Sequence, residues 1–167
     1  MFSSSYSNLP PLPHRIFLLL TVIWAGSLWT VGYMVAPTLF SVLPSRETAG
    51  MIAGHLFRTE AILGVTIGVL QLVLCNVMIR RGAARYRALR WIVLAMLVCV
   101  LAGYFGVQPF MESLRAKAQA AGVGVSESQY KSQFGMLHGV SSVIYLVHSV
   151  LALVLVWRAS APRSAGE

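Results

Sequence analysis

Any acid–base or ligand chemistry in this chain rests on a few residues set in otherwise apolar sequence. Glu60 opens the apolar run 61–79, and His138 and His148 lie inside the run 136–157. A carboxyl group and two imidazoles in such surroundings can relay protons, ligate haem or a metal, or bind a small ligand. Their setting is what makes them informative. A charged carboxylate at a helix centre costs ~2.5–3.5 kcal/mol on insertion scales, and less near the boundary. Groups carried at that cost usually have a partner.

The elements that must position them are four apolar runs: 16–40, 61–79, 91–107 and 136–157. Each is close to the ~20 residues that cross ~30 Å of hydrocarbon as an α-helix. None contains Asp, Glu, Lys or Arg. The chain is 57% hydrophobic and 11% charged, with a mean hydropathy of +0.72. A soluble domain carries roughly 25% charged residues. The reading is an all-α, polytopic integral membrane four-helix bundle. Its single four-span domain covers 14–158, with disordered tails at 1–13 and 159–167.

Charge sets the orientation. Arg80, Arg81, Arg85, Arg87 and Arg90 crowd the link between the second and third runs. Arg15, Arg158 and Arg163 fall on the same side after four crossings, while the other side mixes arginine and lysine with Glu47, Glu60, Glu112 and Glu127. The positive-inside bias puts both termini and the arginine link in the cytoplasm. The sequence pI near 10.2 then reflects topology and anionic lipid headgroups, and no nucleic-acid role is expected. Cys75 and Cys99 lie in apolar helices, read as small buried hydrophobes with no disulfide or metal motif.

The outer connections carry helix signals. Ser45 suits an N-cap for a helix that runs on into the second span. Ser126 with Gln129 has the form of a capping box, which would start the fourth helix near Glu127. Residues 109–121 read as an outer amphipathic helix, with Pro109 near its start and Gly122 after its end. The second and fourth helices are thus expected to extend beyond the outer surface, and a site is expected on that side.

Counting ~1.5 Å per residue from Ile79 and Trp157 places Glu60 level with His138 and Gln71 level with His148. A Glu60–His138 contact is the sharpest expectation that results. At ~100° per residue, Glu60, Gly64, Gln71 and Cys75 share one arc of the second helix, with His55 and Arg58 roughly opposite. Gly64 and Gly68 form a GxxxG that admits another backbone. On the fourth helix His138, Ser142, Tyr145 and Ser149 share a stripe, flanked by Ser141 and His148. The polar site candidates inside the membrane are therefore Glu60, Gln71, His138, Ser142, Tyr145 and His148. Each has a plainer reading: an imidazole is satisfied by one serine or carbonyl on a neighbouring helix, and Glu60 by water at the boundary. His14 and His55 are read as exposed and chemically silent. The tryptophans are read as anchors and packing.

No Walker loop, nucleophile elbow, HExxH, CxxC or CxxCH is present. Three functions stay open. The first is a non-enzymatic protein that binds or helps move a small ligand or metal between its helices. The second is a redox protein in which His138 or His148 ligates haem, although no motif supports haem or any particular metal. The third is a structural subunit of a membrane complex, docking through its glycine faces onto a partner protein or another copy of itself.

The segment Gly26-Ser27-Leu28-Trp29 through Val35-Ala36-Pro37-Thr38-Leu39-Phe40, then Ala49-Gly50 and Leu56-Phe57, resembles a widespread membrane family. So does Leu137-His138-Gly139-Val140-Ser141-Ser142. These segments resemble the bacterial relatives of the eukaryotic transmembrane protein 205 family, over roughly 15–157. The resemblance implies a small four-helix protein of the bacterial inner membrane whose molecular activity is not established. It places the family's apolar-proline signature on Pro37 and Phe40, and its histidine-serine signature on His138, Ser141 and Ser142.

Overall fold

The structure, a computed structural model, describes residues 12–161. Four helices form an up-and-down ring: α1 (Leu12–Val42), α2 (Arg46–Arg80), α3 (Tyr86–Ala120) and α4 (Lys131–Ser160). All four are long and apolar enough to cross a membrane. Among the described residues there is no strand, and a short 3₁₀ turn, Val125–Glu127, precedes α4. Each helix packs on its chain neighbours, α1 also packs on α4, and the diagonals barely touch. The expected tails lie largely outside the described residues, but Leu12, Pro13, Ala159 and Ser160 continue α1 and α4.

Local sequence explains where the helices stop. Ser45 caps α2, its side-chain oxygen accepting from the Thr48 N–H at 3.2 Å. Gly82 has a φ of 91°, and the Gly82 and Ala83 N–H groups donate to Ile79 and Met78 O. A residue without Cβ takes that left-handed conformation without strain, so the arginine link turns sharply there. Gly122, with φ 74°, ends α3 in the same way.

Residues 109–121 fall as expected on an amphipathic helical segment, Gln108–Ala120, which buries Met111, Leu114 and Ala118 and continues from the third span through the turn Ala102–Val107. One expectation about the connections is corrected. Ser126 does not cap α4. That helix starts at Lys131 without a side-chain cap, and Ser128 organises the turn instead, accepting from Tyr130 N and donating to Val125 O. As expected, α2 and α4 begin ahead of their apolar runs.

The interior is a column of Phe17, Trp24, Leu28, Val93, Met96 and Leu155, all essentially inaccessible. Outward-facing positions are just as apolar: Leu19, Val22, Val69, Val98, Val150 and Leu153 are exposed. Helices hydrophobic all round match a bundle solvated by lipid.

Candidate functional site

Both helices that rise from the arginine side widen at the same stage. α1 contains a π-helical turn at Thr30–Val35 and α3 one at Ala102–Val107. In each, an N–H reaches back five residues, Ala36 to Val31 O and Gln108 to Gly103 O. A proline follows each turn, Pro37 and Pro109. Proline has no N–H and its ring crowds the carbonyl four residues back, so the ladder must loosen there. Such π turns frequently mark functional sites.

Between the widened turns lies a cavity of about 430 Å³ to which all four helices contribute. Gly32 and Tyr33 reach it from one π turn, Gly103 and Tyr104 from the other. Arg115, Gln108 and His138 lie towards the end away from the arginine link, while Glu60 and His148 lie deeper.

Tyr145 ties the wall together. Its hydroxyl donates to Leu28 O at 2.6 Å, and its ring meets Tyr33 and Phe57 edge-on at 6.2 and 5.3 Å. A Cβ at Gly32 would overlap that ring. Glu60 is within electrostatic range of Tyr145. Glu60 is only 7% exposed, and its Oε1 has no hydrogen-bond partner.

One turn deeper, the Trp24 indole lies edge-on to His148, ring centres 5.5 Å apart. The same indole packs into the notch left by Gly64 and Gly68, which at Gly68 it shares with Leu97: a Cβ would come 2.8 Å from the indole at Gly64, and 2.6 Å from Leu97 and 3.1 Å from the indole at Gly68. His148 is 3% exposed, and its Nε2 has no partner, like the Trp24 Nε1. Deeper still, Gln71 donates to Thr21 Oγ1 at 2.7 Å and to Phe17 O at 3.4 Å, leaving its Oε1 unpaired.

These contacts fix a register that differs from equal heights at Ile79 and Trp157. Tyr145 packs on Phe57, and Trp24 joins His148 to the level of Gly64 and Gly68. His148 therefore lies above Gln71, and His138 lies further out than Glu60. No hydrogen bond or ion pair joins Glu60 to His138. His138 is exposed and stacks on Phe134 at 6.5 Å, with Arg115 over that ring at 5.2 Å. The register follows from the α4 end, where Arg85 donates to the carbonyls of Arg158, Ala159 and Ala161. Trp157 is exposed, at the same end of α4 as these contacts.

The other candidates divide between the cavity wall and the rest of the bundle. Ser142 lines it but donates to His138 O in its own helix. Gly64 and Gly68 serve packing within the chain, not an outer face. Arg58 lines the cavity although the helical wheel sets it opposite Glu60. His14 is buried, not exposed, and its Nδ1 lies 2.8 Å from the Tyr86 hydroxyl near the arginine side. Cys75 is buried and Cys99 lines the cavity. The widened turns and the Arg115 position went unread in the sequence. The signal was a Gly-Tyr pair followed by proline, seen at Gly32-Tyr33 with Pro37 and again at Gly103-Tyr104 with Pro109.

Among the described residues no two histidines face each other across the bundle: His138 and His148 share α4, His148 faces Trp24, His55 is exposed, and His14 lies with Tyr86. Among the described residues no three His, Cys, Asp or Glu come together as a metal site.

Fold and site together define a multi-pass membrane protein, a helical bundle with a polar-floored cavity between its four spans. Residues 19–120 match the family described as a domain of unknown function, DUF4149. The chain belongs to that family. No curated protein and no solved structure matches it.

Proposed function

We propose that this protein is a carrier or binding protein, not an enzyme, that holds a small ligand in the cavity between its helices. The observation that carries this reading is the cavity of about 430 Å³ with the Glu60 and His148 side chains on its wall, each with a buried polar atom lacking a partner. Buried polar atoms left unpaired cost free energy, and a bound molecule removes that cost. The volume falls in the range of small-molecule sites, roughly 300–1,000 Å³. The charge distribution supports a place in the bacterial inner membrane with both termini and the arginine link in the cytoplasm. The cavity then faces outward. The resemblance to relatives of the transmembrane protein 205 family belongs to this reading and adds no ligand. Lipid is the partner this surface suits, and nucleic acid has no part in it.

The test is native mass spectrometry of the protein released from mild detergent, beside Gly103→Leu. A Cβ at Gly103 meets only Ile144, at 4.0 Å, so leucine extends into the cavity. The expected result is a bound small molecule in the wild-type protein that the folded variant lacks, with the variant melting at a lower temperature than the loaded wild type. An empty wild-type protein that melts no differently from Gly103→Leu would sink the reading.

A further inference from the structure

We propose that the ligand is a monovalent organic cation with an apolar body, its charge seated at Glu60 among Tyr33, Phe57 and Tyr145. This deepens the small-ligand reading and rests on it. Glu60 is an acceptor when ionised, and although Arg58 and Arg115 also line the cavity, neither partners its carboxyl group, whose Oε1 has no hydrogen bond. Arg58 is two residues along α2, about 200° around the helix. Arg115 is placed beside Gly54, where a Cβ would be 3.5 Å from its guanidinium. Gly54 is six residues from Glu60, about 9 Å of helical rise. The Arg115 charge is spent elsewhere, over the Phe134 ring and in the fields of Glu112 and Glu47. His138 stacks further out on Phe134. His148 is deeper, against Trp24.

The counter-charge for Glu60 is therefore left to the ligand, and the surroundings select its chemistry. A cation is attracted to aromatic faces within about 6 Å of a ring centre, more strongly when water is excluded. Tyr33, Phe57, Tyr104 and Tyr145 supply such rings on the cavity wall. Phe40, Val100, Met111 and Ile144 supply apolar surface for the rest of the molecule. An anion on this floor would meet the buried Glu60 side chain. A small hydrated metal ion would leave the apolar wall without a partner.

The experiment is equilibrium dialysis of the full-length protein in mild detergent with radiolabelled tetraphenylphosphonium, and separately with radiolabelled decanoate. One saturable tetraphenylphosphonium site is expected. Glu60→Gln should weaken it at least tenfold, Glu60→Asp should keep part of the affinity, and Arg115→Gln should tighten it. Circular dichroism melting checks that each variant folds, and Glu60→Asp carries the test if the amide variant does not. Tetraphenylphosphonium binding that ignores both Glu60 substitutions overturns the proposal. So does saturable decanoate binding that is lost in Arg115→Gln and in Gly103→Leu, although that outcome keeps the cavity reading. Binding of neither probe by a protein that also yields no co-purifying molecule overturns both.

Discussion

At the scale of single residues, the glycines of this chain divide by what surrounds them. A Cβ on Gly64 would come 2.8 Å from the Nε1 of Trp24, a ring with no exposed surface and no room to retreat. Gly139 has nothing within 4 Å of such an atom. Overpacking a tight interior costs about 1–3 kcal/mol, whereas alanine for glycine in an open helix position gains up to about 1 kcal/mol. Gly64→Ala should therefore lower the melting temperature in detergent, and Gly139→Ala should hold or raise it. Equal shifts in the two variants would contradict the notch. The GxxxG of Gly64 and Gly68 was legible as a close-contact surface. That its occupant is the Trp24 indole of the same chain was not, because spacing on one helix says nothing of which side chain arrives from another. His14 shows the same limit: its burial against Tyr86 depends on a residue 72 positions away.

At the scale of elements, the widened turns matter most. Pro37 withholds the N–H that would bond Tyr33 O, and the helix compensates through the Ala36 N–H to Val31 O bond. Pro37→Ala restores that donor and lets the turn tighten, rotating Gly32 and Tyr33 away from their present places in the wall. Slower amide hydrogen exchange between Tyr33 and Phe40 is expected, together with weaker tetraphenylphosphonium binding. Unchanged exchange would show that proline does not hold the turn open. The helices themselves were readable from apolar length, since a span must satisfy its own backbone in lipid. Their relative heights were not. Equal heights at Ile79 and Trp157 paired Glu60 with His138, whereas the Arg85 contacts with the α4 terminus and the Phe57–Tyr145 packing set another register.

At the scale of the whole molecule, four spans put Arg15, the arginine link and Arg158 on one side of the bundle. If the positive-inside bias governs, the link faces the cytoplasm and Lys117 faces outward. In a Cys75→Ala, Cys99→Ser background, Arg87→Cys should react with a membrane-impermeant maleimide only in inside-out vesicles. Lys117→Cys should react only in right-side-out ones. The reverse pattern would invert the topology and turn the cavity towards the cytoplasm.

The amino-acid sequence by itself determined the four helices, the Ser45 cap and the glycine-led end at Gly122, because these depend on local composition and backbone freedom. It also marked Glu60, Tyr145 and His148 as polar groups in apolar surroundings. Only the tertiary structure decided that these three share a cavity wall with His138, which stacks on Phe134 nearer the outer end. It alone decided that Gly64 and Gly68 receive Trp24. The reason is physical: helical periodicity fixes the direction of a side chain around its own axis, but the rotation and height of one helix against the next follow from packing across the bundle.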